Sequence, residues 1–233
     1  RRDELSTSPR NMFSPSDHNG ATVGLLLTTY NCAAFIDQTL AAVAAQSRVP
    51  DQIVLVDDAS TDDTVERAVG WTDRLPLDIV VQPANAGVAR ARNAGASKLG
   101  TDLFAVLDGD DVLLPDHLAL LADLHGQHGG IVSPLAHFWV PGRSQTPYQR
   151  RLRGSMAPKR NQLRALIRKN FVFVASLVSR DEFERVGGYT ESTRCQDMTA
   201  DWDLWLRLVA MGCRVTQAPH PTILYRVVPG SMA

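Results

Sequence analysis

The string AVLDGDDVL (Ala105–Leu113) ends an apolar run with three carboxylates, Asp108, Asp110 and Asp111, within one turn of each other. Carboxylates packed that closely repel, and a hard divalent cation is the usual remedy. Mg²⁺ or Mn²⁺ held by one or two carboxylates normally completes its coordination with water and substrate phosphates. The plainer reading is a loop of helix-capping aspartates before Pro115. Asp57 and Asp58 add a second acidic point at the end of another apolar run, again with helix capping as the alternative. Within NAGVARARNAG (Asn85–Gly95), Arg90 and Arg92 are expected on one face of a helix that starts after Gly87, facing a phosphate or solvent. Asp201 stands between Ala200 and Trp202. A carboxylate beside aromatic rings is partly desolvated, which raises its basicity and suits a general base; an acid favourably placed at a helix N-terminus is the other reading. Trp202 and Trp205 suit either core or a substrate platform. His117, His125 and His128 fall on or near one helix and are expected at the surface.

Strands and helices must alternate to bring these groups together. Val23–Thr29 is a continuous apolar run, the mark of a strand covered on both faces, and a helix follows over Phe35–Gln46. Ile53–Asp58, Leu77–Gln82 and Leu103–Asp108 read as further strands. Ser60 with Asp63 resembles a capping box for a helix towards Trp71. Val88–Lys98 reads as a helix, and Pro115 opens another towards Gly126. Such alternation predicts a parallel sheet, whose carboxyl ends form the ligand crevice. The polar clusters Thr28–Asn31, Asp57–Asp58 and Asp108–Asp111 stand at three such ends and are expected to converge. Further on come a strand at Ile131–Val140, an Arg-rich loop at Arg143–Lys159, a strand at Phe171–Ser179, a turn at Gly187–Gly188, an amphipathic helix over Thr199–Met211 and a strand at Thr222–Val228.

Of the 233 residues 44% are hydrophobic and 21% charged, which excludes wholesale disorder. Lys plus Arg is 24 against 25 Asp plus Glu, so the chain lacks the basic surface of a sequence-blind nucleic-acid binder. That balance hides an asymmetry: 13 carboxylates fall in Asp51–Asp116, and none in Leu124–Arg180. Three widely spaced cysteines, Cys32, Cys195 and Cys213, build neither a disulfide scaffold nor a zinc site. No apolar run approaches the roughly 20 residues that span a bilayer. Residues 1–20 lack an apolar signal core and are expected to form a flexible polar tail, with a cytoplasmic location. The phosphate cradles G-x-G-x-x-G and G-x-x-x-x-G-K-[ST] are both missing.

Seven motifs in order resemble glycosyltransferase family 2: TTYN (Thr28–Asn31), VDDAST (Val56–Thr61), NAGVARARNAG, LDGDD (Leu107–Asp111), VGGYTE (Val186–Glu191), ADWDLWLRL (Ala200–Leu208) and YRVVPGSM (Tyr225–Met232). The resemblance runs from Val23 to the C-terminus. It implies an α/β chain of GT-A fold, with a Rossmann-like, mostly parallel sheet flanked by helices and a smaller acceptor-side subregion. One domain over 21–233 would comprise a nucleotide-sugar-binding half (21–126) and an acceptor half with the catalytic base (127–233). The implied chemistry is transfer from a nucleotide-diphosphate sugar, a UDP-sugar favoured, to a hydroxyl, with Mn²⁺ or Mg²⁺ and inversion at the anomeric carbon.

Carried over by residue, the resemblance has Thr28 and Tyr30 frame the nucleotide base and Asp58, beside Asp57, receive its ring N–H. Arg92 stands near the donor. Asp108, Gly109 and Asp110 match the D-x-D that holds ribose and metal-bound diphosphate; Asp110 or Asp111 is the direct ligand. Asp201 matches the base, six residues before Arg207, with Trp202 and Trp205 on the acceptor side. One protein carboxylate then suffices, because a good leaving group replaces the second acid that glycosidases need. Two positions depart from the pattern: Ala200 stands where Glu is usual, and Val227 and Val228 where many members carry a His. The basic stretch Arg143–Lys169 suits an anionic glycan or lipid carrier, an acidic membrane surface, or equally a solvated loop without a partner. Two rival readings remain: a haloacid-dehalogenase-type phosphatase, since DGDDVL also fits D-x-D-x-[TV], and a non-catalytic nucleotide-sugar-binding module.

Overall fold

The structure, a computed structural model, describes residues 20–139, 156–191 and 200–227. Most of the expected tail (1–19), the Arg-rich loop through 155, Cys195 and Val228 lie outside the described residues. β1 (Val23–Thr29), β2 (Gln52–Asp57), β3 (Leu77–Val81) and β4 (Leu103–Asp108) lie parallel in the order β3-β2-β1-β4. All seven residues of β1 are buried, as its unbroken apolar run requires of a strand covered on both faces. Successive side chains alternate between faces. Leu25, Leu27, Ile53 and Leu55 therefore join one core, which includes Ile36, Leu40 and Val43 of α1 (Ile36–Ala44) and Leu118 and Leu121 of α4 (His117–His128). Leu26, Val54 and Val56 join the opposite core, with Ala89, Ala91 and Ala96 of α3 (Val88–Ala96) and Leu204, Trp205 and Leu208 of α7 (Ala200–Ala210).

The sheet continues past β4 as β7-β6-β8-β5, eight strands in all. β7 (Leu177–Ser179) runs antiparallel to β4 and to β6 (Ile131–Trp139), whereas β6 and β8 (Val215–Arg226) are parallel. β5 (Val112–Leu113) follows the acidic string and pairs antiparallel with β8, which ties that string to the far end of the sheet.

Several elements differ from expectation. The strand expected at Phe171–Ser179 is ordered only as Leu177–Ser179. Upstream, Asn170 accepts from the Val172 N–H, Ser133 Oγ accepts from the Phe173 N–H, and the Ser176 hydroxyl donates to the Phe173 carbonyl. Side-chain partners there replace a strand ladder. β8 begins seven residues before Thr222, because the register shifts against β6 around Leu135 accommodate the run containing Pro219 and Pro221. α2 (Thr64–Val69) starts later than a capping box at Ser60 requires, since the Ser60 N–H and hydroxyl both donate to Asp57. α5 (Gln162–Arg168) and α6 (Arg180–Arg185) have no counterpart among the expected elements.

His117 is also not at the surface. It is fully buried, with Nδ1 2.9 Å from the Thr222 hydroxyl. Burial pushes its imidazole down to about 4, so it stays neutral in the folded protein, while the unfolded chain binds a proton near pH 6.5. This contribution to stability is whole above that value and is lost as pH falls from about 6.5 to 4. Replacing His117 by Gln should flatten the fall of unfolding free energy across that window, by up to about 1.4 kcal/mol per pH unit, and with it the fall of Tm. Parallel wild-type and variant melting curves would contradict it.

Candidate active site

Parallel registry brings the ends of β1, β2 and β4 level: Thr28 lies beside Asp108 and Val56, and Thr29 beside Asp57. The centre of the resulting site is Arg92 on α3. Its guanidinium donates to Asp201 Oδ1 at 2.7 Å and to Asp108 Oδ1 at 2.8 Å, and its side chain is 4% exposed. Arg92 Nε is buried without a hydrogen-bond partner among the described residues. Arg90, two positions earlier, points elsewhere and pairs with Glu191 at 3.3 Å in the open. The expected shared face is therefore wrong, since residues i and i+2 of a helix do not face the same side.

Asp108 is further held by the Thr28 hydroxyl at 3.2 Å. Gly109 lies against β1: a Cβ there would come 2.6 Å from Thr29 Cγ2, so only glycine lets the chain leave β4 so close to its neighbour. The Thr39 hydroxyl, buried under the loop, reaches the carbonyls of Gly109 and Asp111 at 3.0 and 2.9 Å. From the other side comes Arg226, at the end of β8. Its Nε donates to the Asp110 carbonyl at 2.6 Å, its backbone N–H to Asp111 Oδ1 at 2.9 Å and its Nη2 to Gln38 at 2.7 Å. The guanidinium is stacked between Phe35 and Trp139, 4.6 and 4.2 Å from the ring centres.

The three aspartates thus have different circumstances. Asp111 is 1% exposed, with Oδ2 buried and unpartnered among the described residues; burial, then Asp108, pushes its carboxyl well up. Asp110 is half-buried, and burial followed by Asp108 raises it too. Among the described residues no three His, Cys, Asp or Glu side chains assemble into a metal site. The oxygens of Asp110 and the orphaned Asp111 Oδ2 nonetheless fit an Mg²⁺ or Mn²⁺ ion, which takes one or two carboxylates and completes its shell with phosphate and water. Asp108, occupied by Arg92 and Thr28, suits a separate task.

Asp57 is fully buried and accepts from Thr29, the Ser60 N–H and the Ser60 hydroxyl. It faces inward and positions the strand ends. Asp58 accepts from the N–H groups of Ala86 and Gly87 at 2.9 Å each. It thereby fixes the turn where Gly87, at φ 89°, launches α3. Tyr30 is half exposed at the mouth of the cleft, next to Asn31, whose side chain accepts from the Thr61 N–H at 2.8 Å. Thr28 is buried beneath it.

Asp201 opens α7 with its side chain 22% exposed. Burial and the Asp108 charge raise its carboxyl, and Arg92, which holds one oxygen, works against them; the net direction is upward. The ring of Tyr189 lies under Arg92, 5.5 Å from its guanidinium carbon. Trp205 is 1% exposed in the core, so it offers no platform to an acceptor, contrary to expectation. Trp202 is half-buried and donates to the Leu166 carbonyl at 2.7 Å.

Sequence reasoning passed over the residues that hold these groups in place. Asn93, one turn of α3 from Arg90 and adjacent to Arg92, exchanges hydrogen bonds with the backbone of Tyr189 and donates to Glu191. Arg207 pairs with Asp203 at 2.7 Å and donates to the carbonyls of Val186 and Gly188. Gly188, at φ 68°, admits no Cβ beside Asn93 Oδ1. The Gly187–Gly188 pair was the available signal: a strained turn marks a fixed approach between elements.

Comparison with known proteins agrees with this geometry. Glycosyl transferase family 2 matches residues 25–187. The chain is 26% identical over 197 residues to the amylovoran biosynthesis glycosyltransferase AmsE of Erwinia amylovora, covering 84% of this chain and 71% of that protein. It is 33% identical over 106 residues to a validoxylamine A glucosyltransferase of Streptomyces hygroscopicus subsp. limoneus, 44% of this chain and 23% of that one. Among solved structures, S. aureus TarS 1–349 in complex with UDP-GlcNAc matches with a TM-score of 0.70 at 17% identity, over 90% of this chain and 60% of that chain. The mannosyltransferase PcManGT from Pyrobaculum calidifontis, in complex with GDP-Man and Mn²⁺, gives 0.68 at 21%, over 94% and 60%. The chain thus spans about three fifths of these solved chains, which share its mixed, mostly parallel GT-A sheet. No helix among the described residues is long and apolar enough to cross a membrane. The phosphatase reading of DGDDVL falls with this match, as Asp108 is a held ion-pair partner rather than an open nucleophile. A match over most of the chain, with its motifs gathered at one sheet edge, places this protein in glycosyltransferase family 2.

Proposed function

We propose that this chain transfers a glycosyl group from a nucleotide-diphosphate sugar to an acceptor hydroxyl, inverting the anomeric carbon, with Asp201 as general base. The observation that carries this reading is the Asp108–Arg92–Asp201 bridge, which sets a partly desolvated carboxylate beside the acidic strand end. Tyr30 and Thr28 would frame the nucleotide base and Asp58 would accept its ring N–H; Asp108 would hold the ribose. Nucleotides and nucleotide sugars bound to the neighbours, UDP-GlcNAc and GDP-Man, support a donor of this class, with the base left open between them. A UDP-sugar is the donor to test first.

Asp110, with Asp111 behind it, would hold Mn²⁺ or Mg²⁺; the Mn²⁺ in the PcManGT complex supports a divalent ion. When bound, the ion supplies charge neutralisation for the departing nucleoside diphosphate. Asp201 then needs only to accept the proton of the attacking hydroxyl through the oxygen that Arg92 does not hold. An upward-shifted carboxylate serves this better than an ordinary one, because basicity rises with pKa.

Asp201→Asn should cut transfer by about 10²- to 10⁴-fold with donor affinity, read by calorimetry, unchanged. The wild-type rate should fall on acidification with an apparent pKa above 3.8, the ordinary value. Wild-type turnover in that variant would refute the base, and retained donor binding without any turnover in the wild type would favour a binding module.

Asp110→Ala should weaken donor binding in Mn²⁺ by about tenfold or more, a loss of about 1.4 kcal/mol, while donor affinity in chelator stays as in the wild type. Equal affinity in Mn²⁺ would remove Asp110 from the metal role.

Arg92→Ala leaves two partly exposed carboxylates without their shared cation and should lower unfolding free energy by about 1–3 kcal/mol in urea titration. A loss below about 1 kcal/mol, the range of an exposed ion pair, would show that the bridge does not organise the fold.

A further inference from the structure

The helix α5 presents two contrasting faces. Leu166 is fully buried against α7, and the Trp202 indole donates to its carbonyl. The Gln162 side chain donates to the carbonyls of Pro158 and Val215 at 3.0 and 2.8 Å and accepts from the Val215 N–H at 2.8 Å. The helix is therefore firmly seated. Its other face carries Leu163 and Ile167, one turn apart and 37% and 62% exposed, with Arg164 and Arg168 beside them. Lys159 and Arg160 continue the exposed surface, as does Met156 at 66% exposure. Among the described residues Lys159, Arg160, Arg164 and Arg168 have no carboxylate partner, and the chain carries no acidic residue between Leu124 and Arg180.

We propose that this face of α5 docks the protein on an anionic lipid bilayer. Charge complementarity selects a negative partner, and the exposed Leu163 and Ile167, set between Arg160, Arg164 and Arg168 along the chain, select lipid over a soluble polyanion. A polyanion is met by cations alone, whereas interfacial helices combine Lys and Arg with apolar side chains that enter the headgroup boundary. Each basic residue near an anionic surface strengthens adsorption about fivefold, and four do so on the order of several hundredfold. Because the Leu166 carbonyl is bonded to Trp202, next to Asp201, docking would set the candidate base one helix away from the membrane surface. This inference goes beyond the transfer reaction and is tested without donor or acceptor, so either can fail alone.

The test is co-sedimentation of the full chain with vesicles of phosphatidylcholine, with or without phosphatidylglycerol, in about 0.1 M salt, where the screening length is about 10 Å. Partitioning is expected only onto the phosphatidylglycerol vesicles, weakening as salt rises. Paired Leu163→Ser and Ile167→Ser substitutions should lower it at least about tenfold, and Arg164→Glu with Arg168→Glu should lower it by at least as much. These positions are exposed, so circular dichroism and Tm should match wild type. Three outcomes would overturn the proposal: no binding to either vesicle, binding indifferent to the serine pair, or a serine pair that instead converts a dimer to a monomer in sedimentation velocity.

Discussion

A buried guanidinium with two carboxylates is the interaction on which the rest of this site depends. Removing an arginine from water costs several kcal/mol unless its partners are well placed, and Arg92 meets Asp108 and Asp201 at 2.8 and 2.7 Å with its side chain 4% exposed. The three residues belong to α3, β4 and α7, which are distant in sequence. Whatever sets α3 sets the site. That role falls to Asp58, whose two oxygens cap the N–H groups of Ala86 and Gly87 where the helix begins. Asn93 and Arg207 then fix the Gly187–Gly188 turn between α3 and α7. A carboxylate that resembles a ligand residue thus also works one step earlier, by placing the helix that carries the arginine.

Arg226 complements Arg92 from the opposite side of the acidic loop, by a different route. Arg92 neutralises a carboxylate directly. Arg226 reaches the loop through the Asp110 carbonyl and through its own backbone N–H to Asp111, while its charge rests between Phe35 and Trp139. The carboxylates of Asp110 and Asp111 are therefore positioned by a cation without being ion-paired to it in the way Asp108 is. Burial first, and the neighbouring Asp108 charge second, shift both carboxyls upward; a divalent ion would relieve both conditions. The same division explains why Asp108 and Asp110, two residues apart on one string, suit different tasks.

Much of this was legible in the sequence, for identifiable reasons. Continuous apolar runs gave β1, β2 and β4 nearly to the residue, because buried parallel strands tolerate little else. The convergence of Thr28, Asp57–Asp58 and Asp108–Asp111 followed from parallel topology alone. What stayed hidden depended on contacts made by single side chains. Arg92 is as polar as Arg90, and only packing distinguishes the buried one from the exposed one. Ser60 had the look of a cap but serves Asp57. Trp205, one turn from Asp201, suited either core or a platform, and the helical face it occupies is the apolar one. Pro219 and Pro221 concealed the first half of β8, where a bulged register admits them.

Near-zero net charge conceals a directional arrangement of charge. In the acidic stretch, Asp57 and Asp58 accept from backbone or hydroxyl groups, and Asp108 is paired with Arg92. Those charges are spent inside the fold. The cations of α5 have no such partners among the described residues, so their field reaches solvent. Two halves of opposite and nearly equal formal charge therefore do not cancel at the surface. The acidic strand ends organise a cleft, and the cations of α5 remain available to something outside the molecule. That difference follows from where each charge sits relative to buried backbone groups, a property that composition cannot carry.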